Sequence, residues 1–479
     1  MTDTFRPQYH FTPPNMWMND PNGCVFYNGE YHLFYQHHPE STLWGPMHWG
    51  HAVSRDLVDW KHLPIALYPD ESGMIFSGSA IVDWNNTAGF GKEALVAIFT
   101  YNKDYKESQN LAYSTDNGRT WTKYANNPIV PAPVPPADFR DPKVIRYHDY
   151  WVMLLAAGNK VVFYVSADLK LWKQSGSFGN GYGSTDGVWE TPDLFQLPVE
   201  GTDETRWVLT VGVGAGHIAG GSGTQYFIGD FDGKTFTSEN PEDTVLWADF
   251  GADYYAPQSW SDEPNQRRLM IGWMNNWQYA RLVPTDDWNG AFSVIRELSL
   301  RRTADGIRLI HKPISELQSL REEHQHWQEQ VIQSNTNLLA GVQGRALEII
   351  AEFKITDTTE DFGFRLRVGE NEHTDIRYSV KEKRLSLDRR NSGQVDFHED
   401  FPKTHSAALS PIENTIRLHI FVDNCSVEVF ANDGLTVITD QIFPDEASQG
   451  LEIFTEGEVI LHSLDIFHLH PATFEEHQS

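Results

Sequence analysis

A chain of 479 residues is too long for one compact core, so two domains are expected. A formal net charge of −29 excludes nucleic acid and anionic membrane as partners, since both would repel it, and no run reaches the ~20 apolar residues of a spanning helix. Aromatic residues make up 13% of the chain, which suits a β-rich protein whose rings stack on sugar carbons, while two cysteines, Cys24 and Cys425, make no disulfide framework.

The N-terminal run Met1 to Pro7 has neither a basic nor an apolar signal segment. A cytoplasmic chain is expected, or a secreted one already trimmed of its signal. Trp17-Met18-Asn19-Asp20-Pro21-Asn22-Gly23 follows, a stretch of no helical or strand period with one carboxylate at its centre. Beyond it, Asn28-Gly29 joins two aromatic strands as a tight hairpin, because both residues accept positive φ.

From there to about residue 310 a pattern repeats in which a strand ends in a polar turn and then an aromatic residue. Its copies are Ser54 to Trp60, Ser114 to Trp121, Ser166 to Trp172 and a weaker Gly229 to Phe236, about 50–65 residues apart. An all-β unit of that length, about four short strands, is a propeller blade. In phase with these turns run Asp20-Pro21, Phe76-Ser77-Gly78, Asp141-Pro142, Glu190-Thr191-Pro192 and Asp253-Tyr254-Tyr255-Ala256-Pro257, each before a hydrophobic strand and four of them with a proline. Five landmarks predict five blades, and if each opens the innermost strand, their side chains converge at one end of the central axis.

The pattern changes after His311. Pro313 to Arg321 has helical spacing and Glu322-Glu323-His324-Gln325-His326 is polar, predicting a short helix and linker over 312–325 between a propeller (1–311) and a second domain (326–479). Short strands of period two, such as Ser426 to Phe430, fill the remainder and predict a β-sandwich. The chemistry is expected in the first domain.

Two carboxylates flanking a glycosidic bond are the minimal machinery for hydrolysing it. Asp20, Asp141 and Glu190 are the candidates, with Asn19, Gln36, Trp44, Trp49, Phe76, Ser77, Arg140, Asp253, Trp273 and Trp277 beside them as groups suited to hold a sugar. The motifs at 17–23, Phe139-Arg140-Asp141-Pro142 and Trp189-Glu190-Thr191-Pro192-Asp193 resemble the signatures of the β-fructofuranosidases, glycoside hydrolase family 32. The resemblance extends to Phe76 to Ala80, Gly272 to Trp277 and the C-terminal strands. It implies a five-bladed β-propeller joined to a β-sandwich, and a retaining hydrolase of terminal β-fructosides.

Carried over residue by residue, it makes Asp20 the nucleophile, Glu190 the general acid and then base, and Asp141 the residue that grips ring hydroxyls. The two working carboxyls should stand about 5–5.5 Å apart. Trp44, Trp49 and Trp277 become the apolar wall, and Thr191 stands where many relatives carry cysteine. Within the family the chain looks more like exo-acting levanases and inulinases than like enzymes for phosphorylated sucrose. Fructosyl transfer through the same intermediate and an inactive fructan-binding protein are the alternatives.

No cofactor and no metal are expected. The pairs His37/His38, His48/His51 and His324/His326 have metal-like spacing, but no accompanying set of Cys, Asp or Glu completes a site, and solvent-facing or core histidines are expected. The glycine-rich run 212–223 is read as an inter-strand loop, because no helix follows to receive a pyrophosphate. Oligomeric state has no signature in the chain.

Overall fold

The structure, a computed structural model, describes residues 3–477. Among these the strands gather into six sheets. Five follow one another in chain order, opened by Met16–Tyr27, Met74–Asp83, Arg140–Tyr147, Trp189–Pro198 and Tyr255–Ser259, and their consecutive strands pair antiparallel, with Trp288–Asn289 and Phe474–Glu475 added in parallel at the two edges of the first. Each opening strand packs beside the next, and the fifth returns to pack on the first, which closes a ring.

Each gap in the ring holds its own apolar cluster. Phe34 and Trp49 of the first sheet meet Ala80 and Ala97 of the second, and Val96 and Ile98 of the second meet Val144 and Met153 of the third. Leu154 and Phe163 then meet Leu209 and Val211, Val208 and Ile228 meet Leu298 and Leu309, and Trp17 and Tyr35 close the circle against Trp260 and Ile271. Strands covered on both faces read as continuous apolar runs, as in Leu95 to Phe99, which is why strict alternation is absent from this half of the sequence.

The turns behave as their sequences predict. Asn28 and Gly29 take φ of 49° and 79°, and Tyr27 pairs directly with Glu30, as a two-residue hairpin requires. In the repeated polar turns the aspartate caps backbone N–H groups: Asp56 accepts from Val58 and Asp59, Asp168 from Lys170 and Leu171, and Asp232 from Lys234 and Thr235.

The sixth sheet, of ten strands, is the sandwich. Its longest strand, Gly450–Leu469, pairs with Thr359–Val368 through its first half and with Leu347–Lys354 through its second. At Gly457, where φ is 83°, it passes from one layer to the other, around a core that includes Phe353, Phe362, Phe364 and Ile466.

The stretch expected to be a linker is strand. Arg321–Gln333 pairs antiparallel with the long strand, His326 opposite Asp465 and Trp327 opposite Leu464. It lies at the sheet edge with residues 322–326 exposed, and the charged composition that protects an edge from further pairing is the composition of a linker. The predicted helix is a short 3-10 segment, Ser315–Leu320, with Leu317 and Leu320 buried. No helix among the described residues is long and apolar enough to cross a membrane.

Buried charges join the two domains. Arg389 of the sandwich donates to Asp253 at 2.7 Å and to the Tyr279 hydroxyl at 2.9 Å, and Arg296 of the propeller donates to Asp249 and Thr439. His10 lies between Asp423 (2.7 Å) and Glu428 (2.5 Å) of the sandwich. Burial alone would lower its pKa, but hydrogen bonds to those two carboxylates raise it to about 9.

A raised folded-state pKa means the stabilising charge is fully present below about 6.5 and lost as pH rises through 9. His10→Gln, which strands two buried carboxylates, should therefore cost roughly 3–5 kcal/mol at pH 6. Thermal melts from pH 6 to 9.5 should show the gap from the parent narrowing as pH rises.

Candidate active site

Every opening strand carries a break in register at its landmark. The breaks fall between Met18 and Pro21, Ile75 and Gly78, Arg140 and Lys143, Glu190 and Asp193, and Tyr255 and Gln258. Proline cannot donate to a ladder, so Pro21, Pro142, Pro192 and Pro257 sit where pairing is interrupted. Such bulges re-aim side chains. At three of them the backbone enters the left-handed region, with φ of 66° at Asp141, 48° at Thr191 and 52° at Ala256. Gly78 permits the second, because a Cβ there would stand 2.0 Å from the Ile98 carbonyl.

The bulges bring the three carboxylates into one group. Asp20 is 9% exposed and accepts from Ser77 Oγ at 2.6 Å and from Asn19 Nδ2 at 3.1 Å. Asn19 is itself fixed by Trp17 Nε1 at 2.8 Å. Burial first, then the nearby Glu190 charge, push Asp20 up to about 7, against the bonds from Ser77 and Asn19 and the charge of Arg140.

Asp141, 6% exposed, accepts from the Thr191 N–H at 2.9 Å. Burial holds its carboxyl well above the usual range against Arg140, with Glu190 and Asp20 adding to the rise. Glu190 accepts from Arg140 Nε at 3.2 Å and Nη2 at 3.1 Å through one oxygen, and from the Tyr255 hydroxyl through the other. Burial and the Glu190 charge raise the Tyr255 phenol well above its ordinary pKa, so it remains a proton donor to Glu190.

Arg140 is held in turn by Glu107 at 3.2 Å and Asp138 at 2.7 Å. Gln36 spends its amide donors on Asn22 Oδ1 and the Ile75 carbonyl, tying the first opening strand to the second. Trp44 and Phe76 are half-buried and meet edge to face at 6.2 Å, and half-buried Trp277 stacks on Trp17 at 6.0 Å.

Three expected sugar-holding groups lie elsewhere. Asp253 is fully buried under Tyr279, Arg389 and Gln441, where it pins the sandwich to the propeller. Trp49 and Trp273 are fully buried core residues, Trp49 with its indole N–H on the Phe76 carbonyl.

Tyr255 and Glu107 join the site beyond the groups expected there. Tyr255 was legible: Glu190-Thr191-Pro192 and Tyr255-Ala256-Pro257 share one offset, and both open at a bulge with a left-handed middle residue. Glu107 has no motif, and only the sheet order brings it to Arg140.

The Ser77 bond favours ionised Asp20, so its loss should raise that pKa further. Ser77→Ala is expected to move the acidic limb of kcat/KM to higher pH and to lower the rate on that limb about tenfold or more, since a bond to a charged group contributes roughly 1.5–3 kcal/mol. A pH–rate series on sucrose reads it directly.

Clustered carboxylates with an arginine clamp, at one end of a β-propeller braced by a β-sandwich, define a glycoside hydrolase. The family model for the glycosyl hydrolases family 32 N-terminal domain matches residues 10–313, and that for the family 32 C-terminal domain matches 316–468. The chain belongs to glycoside hydrolase family 32.

A levanase of Bacillus subtilis (strain 168) is 52% identical over 97% of this chain and 70% of its own. The crystal structure of an exo-inulinase from Aspergillus awamori superposes with a TM-score of 0.91 at 35% identity, covering 98% of each chain. A β-fructofuranosidase from Schwanniomyces occidentalis, solved with fructosyl-erythritol, gives 0.91 at 30% identity and 98% of each chain.

Proposed function

We propose that the protein removes terminal β-D-fructofuranosyl units from fructans such as levan and inulin, and from sucrose, with retention of configuration. The observation that carries this reading is the pairing of Asp20, seated between Ser77 and Asn19, with Glu190, held by Arg140 and Tyr255 at the same end of the ring. The levanase, exo-inulinase and fructofuranosidase relatives support the substrate class.

In this reading an Asp20 oxygen attacks C2 of the terminal fructosyl unit while Glu190 gives its proton to the departing glycosidic oxygen. The C2–O bond to the leaving sugar breaks as the ester to Asp20 forms. Glu190, now a carboxylate, takes a proton from water, whose oxygen attacks C2 and frees Asp20. Arg140 and Tyr255 hold Glu190 through both oxygens, so the proton is delivered from a fixed position.

Asp141 binds ring hydroxyls, joined by Asn19, Gln36 and Arg140, and Trp44, Phe76 and Trp277 form the apolar wall. The test is release of fructose and glucose from sucrose, inulin and levan. Free fructose in step with substrate loss is the expected result, and longer oligosaccharides at high sucrose would show that a sugar intercepts the intermediate in place of water. A chain that binds all three but cleaves none would overturn the reading.

A further inference from the structure

His324 and His326 meet a third metal-binding side chain that their sequence neighbourhood does not reveal. They are two apart on the edge strand Arg321–Gln333, so both imidazoles leave the same face, and Asp465 of the long strand lies directly opposite His326. His324 Nε2 stands 2.8 Å and His326 Nδ1 2.7 Å from the same Asp465 Oδ1. One nitrogen from each ring and a carboxylate oxygen all lie within 4.8 Å of one another.

The geometry points to a divalent transition-metal site on the sandwich, and we propose zinc as its ion. Two imidazoles and a carboxylate suit Zn²⁺, whereas Ca²⁺ and Mg²⁺ prefer all-oxygen shells. Zn²⁺ binds nitrogen and carboxylate oxygen at about 2.0–2.2 Å, so an ion placed among the three atoms replaces the two N–H···O bonds with three coordinate bonds and leaves a position for water.

The neighbours prepare the site. The His324 ring lies flat on Phe467, centroids 4.3 Å apart and planes 9° from parallel, which restrains it in the ligating direction. Arg321 stacks on the same phenyl ring and is occupied by Glu348 through two bonds of 2.6 and 2.8 Å. The chain's net charge of −29 adds a general attraction for cations.

Such an ion joins the edge strand, which begins straight after the 3-10 segment between the domains, to the strand that runs through both layers of the sandwich. It binds only the folded arrangement, so it acts as a stabilising staple. The active-site carboxylates belong to the propeller, and the staple takes no part in the reaction.

Zinc chloride titrated into the chelator-washed full chain should bind one ion per chain and raise its melting temperature, while calcium chloride should do neither. His326→Ala and Asp465→Asn, both on the exposed face, should weaken zinc binding by at least about tenfold and remove the melting shift, with sucrose hydrolysis unchanged. Cobalt in place of zinc should give the visible absorption of a low-coordinate nitrogen–oxygen site in the parent and lose it in either variant. A parent that binds no zinc, or zinc binding that survives both substitutions, would overturn the proposal.

Discussion

Asp20→Asn is expected to remove turnover almost completely and, above neutral pH, to make the protein more stable. The amide keeps the shape of the side chain but cannot form the ester, and loss of a covalent nucleophile costs on the order of 10⁴–10⁶ in kcat. The stability gain follows from the same burial that prepares the residue. A carboxyl raised from 3.8 to about 7 is one whose ionisation the folded state resists, so its charge destabilises the fold above that pH and costs nothing below about pH 4.

Three pKa units correspond to roughly 4 kcal/mol, an upper bound because part of the rise is mutual repulsion with Glu190. Melting curves should coincide near pH 4, separate as pH rises from about 4 to 7 and keep the full gap above 7, with the variant the more stable. Equal stability at pH 8 would show that Asp20 carries its charge without cost.

Glu190→Gln should be nearly as damaging on sucrose and fructans, whose leaving alkoxides need a proton, with a loss of about 10²–10⁴ in kcat. The loss should depend on the leaving group. β-D-fructofuranosyl fluoride departs without protonation, so its first step should be largely spared and the fructosyl–Asp20 ester should accumulate. Azide needs no general base; it should attack C2, release the Asp20 carboxylate and restore turnover as β-fructosyl azide.

Removing the Glu190 charge also removes one cause of the raised Asp20 pKa, so the acidic limb on the fluoride should move to lower pH. A variant impaired equally on fluoride and sucrose, and not rescued by azide, would place Glu190 outside the proton transfers.

Asp20, Asp141 and Glu190 were legible because a propeller repeats its geometry. A carboxylate, a proline and a hydrophobic strand recur in phase with the polar turns, and the ring of opening strands turns that phase into convergence. Asp253 departs from this pattern. It stands four residues before its proline, whereas the bulge presents the residue two before, so Tyr255 faces Glu190 and Asp253 turns back into the domain junction.

Exposure is the second property that a neighbouring motif does not reveal. Tryptophans next to a motif read as sugar platforms, yet Trp49 and Trp273 fill gaps between sheets, and only the packing of neighbouring sheets distinguishes them from Trp44 and Trp277. Long-range pairing hid the rest: residues 322–326 look like a linker until the strand ending at Leu469 is laid beside them, and the same pairing brings Asp465 to His324 and His326.

The proposed reaction turns on a covalent bond between Asp20 and fructose. Quenching the protein in acid during turnover of sucrose, digesting it with pepsin and locating the modified peptide by mass spectrometry tests this most directly. One anhydrofructosyl unit is expected on Asp20 and none in Asp20→Asn. A label on Asp141 or Glu190, or a protein that stays unlabelled while it turns over and releases fructose of inverted configuration, would contradict it.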